Sequence, residues 1–296
     1  MYSIGIDIGG MSAKIGAIQD GKITKIQTIP TNSKMEYNNF LAKLVSVLEG
    51  LLLENGKEKL KMIGISSCGL INTVEGKIKY SNNIRWDDKS IAFDIRDRFQ
   101  VPVRIANDAK CAALTEAVLG AGKDYDRVCM ITLGTGVGGA FVKGKHLDQG
   151  NPYADASDIL GHLTVVAGGR QCTCGRLGCL EAYASATALM ASYTERTGSN
   201  ITAKEIFDRV RQGEKEAAGV FEKFQYYLGE GLITIGNILR PEVIVIGGGI
   251  SKSADLYISY LEDYVNDRIY GGQSLPIHIA AAKYGNDAGM IGATLL

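Results

Sequence analysis

The chain has 296 residues, 46% of them apolar and 22% charged, with 32 Lys and Arg balanced by 32 Asp and Glu. That is a globular composition, long enough for one large or two medium domains, and its neutrality, with no Lys/Arg tract, argues against a nucleic-acid groove or an anionic membrane surface as partner. No apolar run approaches the roughly 18 residues of a membrane span, and the opening "MYSIGIDIGG" lacks the layout of a secretory leader, which points to a reducing cytoplasm, where clustered cysteines are more often metal ligands than disulfides.

The first predicted element, "YSIGIDI", is an apolar strand that carries one acid, Asp7. A buried carboxylate must be paired or hold a cation. Beside a glycine turn, hydrated Mg2+ is the expected partner. The turn leads into a second strand, "AKIGAIQ", and the whole stretch "IDIGGMSAKIGAIQDGKI" reads as a hairpin ending in a Gly-Lys turn. A helix over Tyr37–Glu54 follows, then the strands "KMIGISS" and "VPVRIAN". The latter delivers Asn107 and Asp108 to the start of a helix predicted over Lys110–Leu119. An acid at the C-terminal end of a strand, facing a ligand crevice, is a common general base. Asp and Asn are also the best N-caps, and on these residues alone the cap has the stronger claim.

The segment "LGAGKDYD" (119–126) marks a boundary between two lobes, because just past it the first layout recurs. In "ITLGTGVGGAFVKGKHL" a strand, a glycine turn, a second strand and a Gly-Lys turn follow one another again. Glycines there permit positive φ and bring backbone N–H groups close to a ligand. One such hairpin is ordinary. Two, each opening one half of the chain, favour a duplicated clamp on phosphates.

Next comes "CTCGRLGCLE" (172–181), three cysteines and a glutamate in ten residues. Cys172, Cys174 and Cys179 offer three soft ligands, and His162, after Gly161, is the natural fourth for a tetrahedral Zn2+. Four protein ligands leave no open position, so the ion would be structural. The alternative, free thiols crowded in a Gly-rich polar loop, would be oxidation-prone. Glu181 is either aimed at a ligand by a rigid knot or a glutamate favoured by a helix dipole; the local residues leave the two readings even. Helices are predicted over Ala182–Thr197, Ala203–Gln212 and Glu214–Leu239. "VIVIGGGI" (243–250) is a buried strand running into three glycines, a shape that lets backbone lie against a nucleotide. "PIHIAAA" reads as a last strand, and "GNDAGMIGATLL" starts a small-residue helix expected to pack back on the first lobe. The chain has no G-x-x-x-x-G-K-[ST] loop, which excludes a P-loop mechanism. Cys68, Cys111 and Cys129 sit in apolar stretches, as buried thiols do.

Taken together, "CTCGRLGCLE" with its upstream "GH", and "IDIGG", "AND", "LGTGVGG" and "VIVIGGGI" in that order, resemble the ROK family of sugar kinases and sugar-responsive repressors along the whole chain. The resemblance implies an α/β fold, the duplicated ribonuclease-H-like, two-lobed plan of actin and hexokinase. The small lobe would span 1–119 with a returning helix at about 286–296, and the large lobe 120–285. It implies ATP and Mg2+ as cofactors, a structural Zn2+, a sugar substrate and a homodimer. Asp108 would take the sugar hydroxyl proton. Asn83, Asn107, Gly69, His162, Glu181 and Ile159 would line the sugar, and His162 would also bind zinc with the three cysteines. Asp7, Gly9, Gly10, Ser12, Gly134, Thr135 and Gly136 would serve the phosphates, and Gly248 and Gly249 the adenosine.

Three departures from the family pattern stand out. The first turn reads "GGMS" where the family has "GGTK" or "GGTS", so Met11 replaces a hydroxyl and Ser12 remains. "CGLIN", with Cys68 and Gly69, stands for a "PG" loop. "DILGH" stands for "GEIGH", which puts Ile159 where a glutamate contacts hydroxyls near the anomeric carbon. Losing such a charged hydrogen bond costs about 1.5–3 kcal/mol, whereas an apolar group can pack on a C1 substituent. The exchange favours, by a small margin, a β-glucoside such as cellobiose, phosphorylated at the 6-hydroxyl of its glucose moiety. If Asp158 takes over the glutamate's role instead, the acceptor is a free hexose: glucose, N-acetylmannosamine or fructose. The first strand starts at Tyr2, so a DNA-binding arm like that of the family's repressors is not expected; a catalytically weak sugar sensor is the remaining alternative, on account of Met11.

Overall fold

The computed structural model describes residues 1–296 except 33, 82, 149–150 and 154–158. The chain forms two compact units: Met1–Leu119 with His146–Ser157 and Asn286–Leu296, and Gly120–Lys145 with Asp158–Gly285. The described residues 146–148 and 151–153 thus group with the first unit, although the sequence reading puts them in the second half.

In the first unit β1 (Tyr2–Ile8), β2 (Ser12–Gln19) and β3 (Lys22–Pro30) form an antiparallel meander, followed by α1 (Tyr37–Asn55) and β4 (Leu60–Ser67). A small antiparallel sheet comes next, β5 (Leu70–Asn72), β6 (Lys77–Ser81) and β7 (Trp86–Lys89). Then come α2 (Ile91–Phe99), β8 (Val103–Asn107) and α3 (Asp108–Val118). The main sheet runs β3-β2-β1-β4-β8, with β1, β4 and β8 parallel. Parallel strands covered on both faces read as continuous apolar runs, and Ile4, Ile6, Ile8, Ile63 and Ile65 are all buried. Phe40, Leu44, Leu48 and Leu51 make the helical stripe by which α1 joins this core.

The second unit opens with β9 (Arg127–Leu133) and β10 (Val137–Lys143). A two-residue strand, β11 (His146–Leu147), lies in the segment that groups with the first unit. The helices α4 (Glu181–Ala184), α5 (Ala186–Thr197), α6 (Ala203–Arg211) and α7 (Lys215–Leu239) precede β12 (Val243–Gly247), α8 (Ile258–Arg268) and β13 (His278–Ala281). The strand order β10-β9-β12-β13 repeats β2-β1-β4-β8, with one antiparallel and two parallel pairings in each. This is the duplicated α/β plan that the resemblance implies. The second core lies between the sheet and α5–α8, around Ile131, Leu189, Phe224, Leu232 and Ile246.

The helix expected over Ala182–Thr197 is two, parted at Ser185, whose hydroxyl caps α5 by accepting from the Ala188 N–H at 3.0 Å. The meander strand β3 escaped the sequence reading because its isoleucines, Ile23, Ile26 and Ile29, recur every third residue instead of alternating with polar ones. Cys68, Cys111 and Cys129 are buried and take part in no disulfide. Among the described residues no helix is long and apolar enough to cross a membrane.

The last helix, α9 (Ala288–Ala293), lies on the first unit's sheet. Gly5 and Gly64 face each other across β1 and β4, and they leave a groove for its backbone. A Cβ on Gly64 would stand 1.8 Å from the Ala293 carbonyl oxygen, and one on Gly5 2.1 Å from that of Met290. Backbone cannot yield as a side-chain tip can, so Gly64→Ala must displace the helix. The expected cost is about 3 kcal/mol, the upper end for overpacking a core. Urea unfolding reads it directly; an unchanged midpoint would mean that α9 does not depend on this close approach.

Candidate active site

Three parallel strands of the first unit end at one edge of the sheet and deliver polar groups there. Asp7 pairs with Ser66 across β1 and β4, and Ser67 pairs with Asn107 across β4 and β8. Ligand sites in open α/β sheets lie at the carboxyl ends of parallel strands. The Ser66 hydroxyl donates to Asp7 Oδ1 at 2.6 Å. Burial pushes the Asp7 carboxyl up from its ordinary range, and the Asp287 charge adds to the rise, while the Ser66 bond and Lys14 oppose it. Lys14, the β2 partner of Asp7, donates to Asp287 Oδ1 at 3.1 Å and to the Asn286 carbonyl at 2.9 Å. Ser66, Lys14 and Asp287 were missed at the sequence level; the signal for Ser66 was a serine pair closing an apolar strand.

Asp108 is the first residue of α3, and Asn107 is the cap. Asn107 Oδ1 accepts from the Ala109 N–H at 2.9 Å, and its Nδ2 donates to the Gly69 carbonyl at 3.2 Å. The capping role therefore belongs to Asn107, one residue before the acid. Asp108 Oδ1 also accepts from Ala109 at 2.9 Å. Asp108 is exposed at the start of α3, yet the protein atoms around its carboxyl partly desolvate it. That desolvation, with the charge of Asp7 second, pushes its pKa up to about 6. A carboxyl poised there is ionised at neutral pH and still accepts a proton readily.

The neighbouring loops complete this edge. Gly69 has φ +111°, and a Cβ there would stand 2.3 Å from the Tyr80 carbonyl oxygen. The Cys68 thiol lies 3.5 Å from the Ser81 hydroxyl, and burial pushes its pKa up. Asn83 is exposed and backs onto Gly10. The first hairpin turn is tied by the Gly9 N–H to the Ser12 carbonyl at 3.0 Å and by the Thr31 hydroxyl to the Gly9 carbonyl at 2.5 Å. Met11 stands 87% exposed at its tip, and Ser12 is half-buried.

In the second unit, Gly134, Thr135 and Gly136 form the turn between β9 and β10, closed by the Gly134 N–H on the Gly136 carbonyl at 3.0 Å. Gly248 follows β12 with φ +85°, and a Cβ there would stand 2.3 Å from the Leu133 carbonyl oxygen; Gly249 borders open space. Also in this unit, the cysteine loop gathers its donors. Cys174 Sγ lies 3.6 Å from Cys179 Sγ, and His162 Nδ1 lies 3.5 Å from Cys172 Sγ. All four donor atoms fall within 4.8 Å of one another. Zn–S bonds of about 2.3 Å at tetrahedral angles put sulfurs about 3.8 Å apart, so the donor set and its spacing fit that ion. Ile159 is half exposed and starts the turn that carries His162, whose N–H donates to the Ile159 carbonyl at 3.2 Å. Asp158 lies outside the described residues. Glu181, at the start of α4, binds the Val137 N–H and the Thr173 hydroxyl.

A sequence model of the ROK family matches residues 3–296. The chain is similar to a protein named glucokinase from Halalkalibacterium halodurans, 34% identical over 313 residues, covering 98% of this chain and 93% of that protein. It is similar in structure to a ROK hexokinase from Thermus thermophilus, with a TM-score of 0.87 and 29% identity over 100% of this chain and 97% of that one. A ROK family glucokinase from Streptomyces griseus, solved in complex with glucose and AMPPNP, gives a TM-score of 0.82 and 28% identity over 99% of this chain and 98% of that one.

Proposed function

The chain belongs to the ROK family, and from that premise we propose that it is an ATP-dependent sugar kinase whose acceptor is a free hexose, glucose first, phosphorylated at the 6-hydroxyl. End-to-end likeness to proteins named glucokinase carries this reading, one of them solved with glucose and an ATP analogue. It supports the free-hexose alternative over the β-glucoside that Ile159 favours in the sequence.

The chemistry follows from the first unit. Asp108, ionised at neutral pH, takes the proton of the 6-hydroxyl as that oxygen bonds to the γ-phosphorus. The bond from phosphorus to the β–γ bridging oxygen breaks, and ADP leaves with the electron pair. Asn107 would orient neighbouring hydroxyls with what its cap leaves free, and Asn83 and the Gly69 turn would add contacts. Asp7 would hold Mg2+, which when bound neutralises phosphate charge. The glycine turns at 9–10 and 134–136 would offer backbone N–H groups to phosphate oxygens, with Ser12 and Thr135 beside them, since phosphoryl transfer needs mostly positioning and charge neutralisation. Gly248 and Gly249 would take the adenosine. His162, Cys172, Cys174 and Cys179 would hold a structural Zn2+ that crosslinks the loop when bound.

The test is ADP release with glucose, fructose, N-acetylmannosamine and cellobiose in parallel. The expected order puts a free monosaccharide first by at least about tenfold in kcat/KM, the scale on which a pocket shaped for one acceptor discriminates against a bulkier one. Preference for cellobiose would restore the β-glucoside reading, and no sugar-dependent turnover with any of the four would remove the kinase reading.

A further inference from the structure

The family resemblance gives Glu181 to the sugar, yet its carboxylate is also engaged by protein on both sides. Oε2 accepts from the Val137 N–H at 3.1 Å, at the point where the glycine turn enters β10. It fills the space that a Cβ on Gly136 would need, 2.3 Å away. Oε1 accepts from the Thr173 hydroxyl at 2.7 Å and lies 3.6 Å from the Cys172 sulfur. Thr173 sits between two of the cysteines that would hold zinc. On the turn's other side, the Ala186 N–H at the start of α5 donates to the Gly134 carbonyl at 2.8 Å. The turn is therefore held at one end by a helix start and at the other by a carboxylate anchored in the cysteine loop.

We propose that Glu181 is a positioning residue that passes the order of the cysteine loop to the 134–136 turn, so that nucleotide affinity depends on it even without sugar. This rests on the reading of that turn as a phosphate cradle. A carboxylate is the right group, because it accepts from a backbone N–H and a hydroxyl at once with no competing proton. It also explains why a glutamate follows the last cysteine by two residues. The first turn of α4 places it over the turn while the cysteine loop holds its far oxygen.

The experiment measures two things on the full chain: the affinity of AMPPNP with Mg2+ by calorimetry in the absence of sugar, and the hydrogen exchange of the Val137 amide. Glu181→Ala removes both acceptors. The expected result is nucleotide binding weaker by about tenfold, the size of an outer-shell loss, together with faster Val137 exchange. Glu181→Gln should restore both in large part, because its amide oxygen can accept from Val137 while its NH2 donates to Thr173. A residue needed only for its charge on a sugar hydroxyl is not rescued in this way. Thr173→Val, which leaves Glu181 in place but loosens it, should weaken AMPPNP binding several-fold and keeps the test open if Glu181→Ala fails to fold. Unchanged Val137 exchange and unchanged AMPPNP affinity in Glu181→Ala, with only sugar affinity reduced, overturn the proposal. If the parent protein binds no AMPPNP at all, the kinase reading fails, and the Val137 exchange still reports on the Glu181 contact by itself.

Discussion

Asp108→Asn is expected to lower the sugar-dependent ATPase and kinase rate by about 10²–10⁴-fold, the range of a general base, while glucose affinity changes little. The substitution keeps the hydrogen-bonding shape and removes the proton acceptor. The parent's kcat/KM should fall as pH drops through about 6, where Asp108 becomes protonated, approaching a tenfold loss per unit below it. A variant that kept its rate would move the base elsewhere. Stability should run the other way. The folded-state pKa of Asp108 lies above the ordinary carboxylate range, so between about pH 4 and pH 6 the folded chain binds a proton that the unfolded chain does not. The ionised acid therefore costs stability above pH 6, and that cost fades as pH falls. Asp108→Asn should melt higher than the parent at pH 7, with the difference gone below about pH 4. A gain in Tm with a loss of rate is what strain held at a working residue predicts.

The second large effect belongs to the cysteine loop. One zinc per chain is the expected result of elemental analysis, and Cys179→Ser should lose it. Cys179 is fully buried, so a serine there also leaves a hydroxyl without the ion's compensation. In peptides that have no other core, a structural zinc is worth about 10–16 kcal/mol of folding. The second unit keeps its own apolar core, so local unfolding is expected: protease sensitivity confined to about 162–181, with the rest of the unit folded. A metal-free parent protein with a protected loop would remove zinc from the account.

Much of this was legible in residues taken singly. The glycine hairpins at 9–12 and 134–137, the four metal donors and the strand ends at Asp7 and Asn107 all carry local chemistry, and local chemistry is what a sequence displays. The repeat of the hairpin pointed to a duplicated unit, and the family resemblance supplied the two-lobed α/β plan. The cap at Asn107 was half legible. Both residues suit the position, and only the backbone decides which of two neighbours takes it. What stayed hidden depends on partners far along the chain. Ser66 looks like any strand serine until register sets it beside Asp7. Lys14 and Asp287 meet across more than 270 positions. Glu181 could be read as a dipole glutamate or a ligand-facing one, and nothing nearby hinted that its partner would be the Val137 amide. Ile159 shows the opposite failure: a departure from a motif was legible, and its meaning for the acceptor was not.

The returning helix has a consequence for biosynthesis. Thr115 donates to the carbonyl of Ala288, 173 positions later, at 2.6 Å, and the paired glycines of β1 and β4 wait for that same helix. At about 5–20 residues per second on the ribosome, the N-terminal half emerges on the order of ten to thirty-five seconds before the piece that closes it. Throughout that interval an apolar seam stays bare on a nascent chain. Quality-control factors that scan for such surfaces would meet this polypeptide while it is still being made, and any truncation that removed α9 would prolong that exposure indefinitely.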